Sequence, residues 1–335
     1  MYPLPLQNNN LSLPKEKKYF IVLAIFSGLV WLVVAISIIG LIYAVLIALL
    51  IWLANGMLVA RLRSEGVLVS QDQFPELYQT FQSVLQTFNL PEEPEIYVIQ
   101  SDGILNAFAT RHSGRDFVVI YSSILEAYGY ASSEMRFLIG HEIGHIRSKH
   151  LLKRLFIAPS FFLPWVPPAY SRACEASCDR FGAYASGDID GAVSAMMTLS
   201  AGKEATAKLA PAIFARQHFI HRGFFVSWYE LNSFYPTLSQ RVSNLLAVKS
   251  GLFQPSERRN ILAYFFAMFS LRTLIIVYLF FILGAIALPA IMKARESALN
   301  LQSIQSSTDD DSEVNSGDEE AVNVPALRPS PETTE

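Results

Sequence analysis

His141 and His145 stand four residues apart on either side of Glu142, in the run His141-Glu142-Ile143-Gly144-His145. On a helix of 3.6 residues per turn this spacing puts both imidazoles on one face, one turn apart, where they can bind a single zinc ion. Glu142 offers a carboxylate able to take a proton from water activated by the ion and pass it to a leaving amine. Such a run also arises by chance, with two histidines hydrogen-bonded in a core, so a third ligand has to be found. A second helix expected over Ser171 to Ala185 supplies Glu175 and Asp179, four apart and on a shared face. Two histidines and a glutamate leave the fourth zinc position open to water, as catalytic rather than structural sites do.

The elements that must position these groups are legible in outline. Ser132 and Ser133 offer an N-cap for a helix carrying the two histidines and running to about Leu155. On that helix His150, five residues beyond His145, falls roughly 140° away and points from the metal. Gly140 and Gly144 each cost the helix roughly 1 kcal/mol relative to alanine and allow a neighbouring segment to come close. Ahead of it, Glu95 to Gln100 and Asp116 to Ser122 read as short strands around Ile104 to Thr110, after a helix near Gln73 to Phe88. Cys174 and Cys178 flank Glu175 and are expected as reduced core thiols rather than a soft-metal site. His112, His218 and His221 have no ligand spacing with the pair.

Composition places this polar middle beside a membrane. The chain has 335 residues, 52% hydrophobic and 16% charged, with two cysteines, which excludes a wholly disordered chain, a collagen-like repeat and a disulfide scaffold. From Tyr19 to Ala60 there is no charged residue. That run is enough for two spans of a ~30 Å hydrocarbon core, with a break near Ser37 to Gly40. Lys15, Lys17 and Lys18 before the pair, and Arg61 and Arg63 after it, mark both outer ends as cytoplasmic. A further apolar run, Thr273 to Met292, reads as one more membrane segment, and the tail beyond residue 300 carries nine acidic residues and one arginine. The tail is expected to be disordered. No basic patch with interleaved aromatics appears, so nucleic acid is not an expected partner.

The chain resembles the HtpX and CAAX-prenyl-protease family of membrane zinc endopeptidases. Four segments carry the resemblance: Asn106-Ala107-Phe108-Ala109-Thr110, the HEIGH helix, Glu175-Ala176-Ser177-Cys178-Asp179, and Tyr235-Pro236-Thr237-Leu238-Ser239-Gln240-Arg241. The resemblance implies one zinc ion held by His141, His145 and Glu175, with Glu142 as the base. It implies that Asp179 orients a zinc histidine and that Arg241 supports the site. It also implies an edge strand, Asn106, Ala107, Phe108 and Ala109, that holds an extended peptide. In the last segment tyrosine stands where the family has histidine, so Tyr235 is a candidate oxyanion donor as well as a packed side chain. Only 29 residues, Ile146 to Cys174, separate the zinc motif from Glu175, where HtpX has two spans; the apolar stretch Leu155 to Tyr170 is expected as a loop at the bilayer surface or a lid.

The expectation is therefore an α+β, mostly helical, gluzincin-like domain with a small β-sheet, attached to transmembrane helices. Its boundaries are a cytoplasmic segment 1–18, a transmembrane hairpin 19–60, a cytoplasmic protease domain 61–259, a C-terminal membrane segment 260–292 and the acidic tail 293–335. The implied activity is hydrolysis of unfolded or membrane polypeptides at a cell membrane, in a multi-pass protein of a bacterial cytoplasmic membrane with lipid as a partner. The rival is a noncatalytic membrane zinc protein acting as an interaction scaffold.

Overall fold

The computed structural model describes residues 6–101, 103–251, 259–270, 273–275 and parts of 278–303. The acidic tail beyond residue 303, and part of the expected membrane segment 260–292, lie outside the described residues. The chain divides into two units, residues 1–276 and 277–335. In the first, a mostly helical body surrounds a small mixed sheet and carries two apolar helices, an α+β architecture.

Helix α1 (Pro14–Ile36) and α2 (Ile38–Glu65) are both long and apolar enough to cross a membrane. They meet at Ser37, whose extended backbone (φ −91°, ψ 116°) breaks the helix and whose hydroxyl accepts the Gly40 N–H at 3.1 Å. A Cβ on Gly40 would sit 3.2 Å from the Val34 backbone, which only glycine allows in so tight a turn. Both outer ends contact the same body. Leu23 of α1 packs with residues of the central helices, while Val59 and Leu62 of α2 pack on the sheet residues Tyr97, Phe117 and Val119.

Strands β1 (Val67–Leu68), β2 (Glu95–Ile99), β3 (Ala107–His112) and β4 (Arg115–Tyr121), with helix α3 (Pro75–Phe88) between β1 and β2, form a sheet in the order β1-β2-β4-β3. Strands β2 and β4 run parallel, and β3 pairs antiparallel with β4, Ala109 opposite Val118. Ser113 and Gly114 both take positive φ in the β3–β4 turn, the geometry that matches strand twist. Strand β3 is thus an edge. Helix α3 presents Leu77, Phe81, Val84, Leu85 and Phe88 to the core, an i, i+4, i+7, i+8, i+11 stripe facing Ile96, Val98, Val118 and Ile120.

After α4 (Ser122–Tyr128), the zinc-motif helix is α5 (Ser133–Arg147), capped by the Ser132 hydroxyl on the Met135 N–H at 3.0 Å. It does not continue to Leu155. Lys149 adopts a left-handed conformation (φ 54°) and a separate helix α6 (His150–Ile157) begins. The 140° projection of His150 fails with the continuous helix it assumed: its Nδ1 lies 3.1 Å from Nδ1 of His145.

A 3-10 turn (Ala158–Phe162) leads to α7 (Val166–Ser186), which starts five residues earlier than expected. Pro167 and Pro168 fall in its first turn, where no amide donor is needed. The stretch at 155–170 packs along α1. Ser27 Oγ accepts the Ser160 N–H at 3.1 Å, the Trp31 indole donates to the Phe156 carbonyl at 2.9 Å, and Ile157 and Tyr170 bury with Leu23. Partners for such backbone groups are what a segment beside a membrane-crossing helix requires.

Helices α8 (Ile189–Ala201), α9 (Lys203–Thr206), α10 (Pro211–Ile220), α11 (Phe224–Asn232), α12 (Leu238–Ser250) and α13 (Ile261–Met268) complete the described elements of this unit. Helices α5 and α7 touch almost backbone to backbone. A Cβ on Gly140 would lie 2.5 Å from the Ala185 Cβ, and one on Gly144 3.0 Å from the Phe181 Cβ. Gly140→Ala is expected to lower stability by about 1–2 kcal/mol, overpacking outweighing the helix propensity gained. Thermal unfolding of the detergent-solubilised protein reads this; an unchanged or raised midpoint would mean that α5 and α7 can part without cost.

Candidate metal centre

The close approach of α5 and α7 brings three ligand atoms to one point. Nε2 of His141 and Nε2 of His145 are 3.3 Å apart, and the Glu175 oxygens lie 3.3 Å from the first and 3.6 Å from the second. Zinc–ligand bonds of ~2.0–2.1 Å at tetrahedral angles give edges of about 3.3 Å. The Nε2–Nε2 separation matches such an edge, Glu175 turns Oε2 to His141 and Oε1 to His145, and the donor set fits that ion. Two other groupings have ligand atoms close together: His145, His150 and Cys178, and Glu16, His150 and Cys174. Both need a thiolate. Burial, reinforced by Glu175 at Cys178 and by Glu16 at Cys174, pushes the two thiols well up, so neither offers one readily.

Asp179, one turn after Glu175 on α7, faces the other nitrogen of His141: its Oδ1 is 3.0 Å from Nδ1. Arg241 of α12 grips the same carboxylate as a fork, Nε donating to Oδ2 at 2.9 Å and Nη2 to Oδ1. Burial opposes charge on Asp179, yet Arg241 and His141 outweigh it and hold the carboxyl at about 2. The same balance raises His141: burial would push it down, but the hydrogen bonds to Asp179 and Glu175 bring it to about 9. His145 has no carboxylate on Nδ1, and burial pushes it down to about 3. Glu175, buried but bonded to His141, falls to about 2.

Glu142 lies on the same turn of α5 but its oxygens are not among the three convergent atoms. Burial, against the pull of His141, pushes its carboxyl up to about 7, the range in which a carboxylate can both accept and return a proton. Ala109 of strand β3 lines the same cleft as Glu142, so the strand borders the centre. In an antiparallel strand, alternate residues turn their amides the same way, and Phe108 pairs with Val119 of β4. Ala107 and Ala109 therefore face the open edge. The Ala107 amide is held by the Asn106 side chain at 3.0 Å.

Asn106, Ala107, Phe108 and Ala109 line one wall of a cleft of ≈ 500 Å³, with His141, Glu142, His145 and Glu175 at its base. Tyr235 lines the same cleft, its side chain 60% exposed and its backbone fixed by Ser233 at 2.7 and 3.3 Å. Arg241 also lines the cleft, bound to Asp179 and with Nη2 3.4 Å from Nδ1 of His141. Arg241→Lys keeps the charge but loses one arm of the fork and is expected to cost about 1.5–3 kcal/mol, read by denaturant unfolding of the zinc-free protein. An unchanged midpoint would show that Asp179 needs no fork.

Sequence reasoning missed two residues here. His150 was set aside because the zinc helix was expected to run unbroken past Lys149, where it in fact breaks, and Glu16 was not singled out. The signal for Glu16 is one carboxylate among Lys15, Lys17 and Lys18 at the start of an apolar helix.

A helix pair that brings two histidines and a glutamate together, beside an edge strand and an open cleft, has the donor set of a metallopeptidase centre. The comparisons agree with that class. Residues 71–167 match Peptidase family M48. The plastoglobule-localized metallopeptidase 48, chloroplastic, of Arabidopsis thaliana is 28% identical over 158 residues, 41% of this chain and 43% of that protein. A protease HtpX homolog of Thermodesulfovibrio yellowstonii is 35% identical over 85 residues, 25% and 29% of the two chains. Another, of Listeria monocytogenes serotype 4b, is 31% identical over 149 residues, 40% and 47%. The chain spans less than half the length of each of these curated relatives. The segment that matches the M48 family takes in the HEIGH helix and β3 and ends before Glu175.

Proposed function

We propose that this chain is a membrane-anchored, zinc-dependent endopeptidase that hydrolyses polypeptides presented in extended form. The observation that carries the reading is the convergence of Nε2 of His141, Nε2 of His145 and the Glu175 carboxylate at one point, with Glu142 beside them and not among the convergent groups. His141 and His145 through Nε2, and Glu175 through its carboxylate, would hold one zinc ion. Bound there, zinc supplies a Lewis acid that polarises a peptide carbonyl and acidifies water. Glu142 takes the proton of the attacking water and returns it to the leaving nitrogen. Asp179 orients His141, and Arg241 keeps Asp179 ionised. The free edge of β3 aligns the substrate backbone through main-chain hydrogen bonds, which favours unfolded segments and reads little sequence. Tyr235, at the mouth of the cleft, has a hydroxyl free to reach a developing oxyanion.

The hairpin of α1 and α2 anchors the domain, with Lys15, Lys17, Lys18, Arg61 and Arg63 placing the catalytic body, about residues 61–259, on the cytoplasmic side. Unfolded or membrane proteins as substrates, with a quality-control role, are what the resemblance of the sequence implies. Digestion of casein by the purified protein, with and without chelator, tests the reading. Zinc near one ion per chain and chelator-sensitive cleavage are expected. Cleavage that survives complete metal removal would overturn it.

A further inference from the structure

We propose that His150 and Glu16 are positioning residues for the metal ligand His145, and that through them the first apolar helix is linked to the metal centre. The inference rests on the zinc reading above and extends it to groups that reading does not use. His150 Nδ1 lies 3.1 Å from His145 Nδ1, and His150 Nε2 lies 3.0 Å from Glu16 Oε1. His150 and Glu16 are only 6% and 4% exposed, so water does not satisfy these atoms. Glu16 belongs to the first turn of α1, 134 residues from His150. Its second oxygen accepts the Ser177 hydroxyl at 2.6 Å, and that hydroxyl oxygen accepts the Leu13 N–H at 3.0 Å.

The order of donors along this chain is fixed from both ends. A carboxylate can only accept, so the His150 nitrogen facing Glu16 carries the proton. The other nitrogen of a neutral His150 is then an acceptor, and it faces His145. His145 must keep Nε2 free of a proton to bind a metal, which leaves the proton on Nδ1, aimed at that acceptor. Each atom thus has the role its neighbour needs. The two candidate ligand histidines are served alike: His141 leans on Asp179 directly, and His145 leans on Glu16 through His150. Groups of this kind set the tautomer and ring orientation of a ligand, and losing one typically weakens metal binding about 10–100-fold.

A first-turn acid on a helix is ordinarily a solvated charge that complements the helix dipole. Glu16 is instead buried against α6 and α7, where an unpartnered carboxylate would be costly. Because its partner is a group touching His145, the seating of α1 and the hold on the metal are thermodynamically linked, each favouring the other.

The test uses the full chain in detergent with Glu142→Gln, which stops self-digestion, and measures zinc affinity by competition with a chromophoric chelator. His150→Ala and Glu16→Ala are each expected to weaken zinc binding about 10–100-fold. The double variant is expected to be no weaker than His150→Ala alone, because Glu16 acts through His150. A purely structural role predicts losses that add, since the two residues would then support the fold separately. Cobalt-loaded Glu16→Gln, isosteric with the parent, carries the test if the alanine variants do not fold, and its ligand-field bands are expected to shift. Affinity within twofold of the parent for His150→Ala, additive losses, or unshifted cobalt bands would each overturn the proposal. A parent that takes up no zinc at all refutes the peptidase reading instead.

Discussion

Glu142→Gln is expected to cut casein hydrolysis about 10²–10⁴-fold while leaving zinc content unchanged. Glutamine fills the same volume, and its amide oxygen keeps an acceptor where the carboxylate had two. What it cannot do is take a proton from water. The ligand groups that converge belong to His141, His145 and Glu175, so the substitution leaves the ligand set whole. Activity and metal content must be read on the same preparation. Lost activity with retained zinc assigns the proton transfer to Glu142. Unchanged hydrolysis moves the base elsewhere, and zinc without hydrolysis even in the unsubstituted chain favours the interaction-scaffold alternative.

The local parts of this centre were legible in the sequence because they depend on local spacing. Two histidines at i and i+4 must share a helix face, and Ser132 caps that helix as its position suggested. Gly140 and Gly144 announced a close neighbour, which is α7. The strands near residues 95–99 and 115–121 follow from runs of β-branched and aromatic residues. The break at Ser37 lies where the apolar run had to divide. Long-range partners were not legible. Arg241 meets Asp179 across 62 residues and Glu16 meets His150 across 134, and no period in a sequence encodes such meetings. The end of α5 escaped for another reason. Nothing in Ser148-Lys149 is a breaker by residue type, and a lysine takes a left-handed conformation only where the surrounding packing demands it. That single turn moved His150 from an idle face to the back of His145. The early start of α7 escaped because Pro167 and Pro168 read as interruptions, although prolines at a helix start are well placed.

Glu175→Ala is expected to weaken zinc binding about 10²–10³-fold, because zinc sites bind with ~10–16 kcal/mol and one of four ligand positions carries roughly a quarter of it. Asp179→Asn makes the sharper comparison, since both acids lie on one face of α7 and either could have been the third ligand by spacing. Their geometry separates them. Glu175 approaches Nε2 of both histidines, at 3.3 and 3.6 Å, whereas Asp179 approaches Nδ1 of His141 alone, on the side of the ring away from the other ligand atoms. Asp179 is also engaged by the Arg241 fork, which leaves its oxygens committed. Loss of its charge should therefore act through the orientation of His141 and weaken zinc only about 10–100-fold. Chelator competition on both variants, each with Glu142→Gln, orders the two effects. A larger loss for Asp179→Asn than for Glu175→Ala would exchange their roles and place the metal on the Nδ1 side of His141, where β3 and the cleft could no longer deliver a peptide to it.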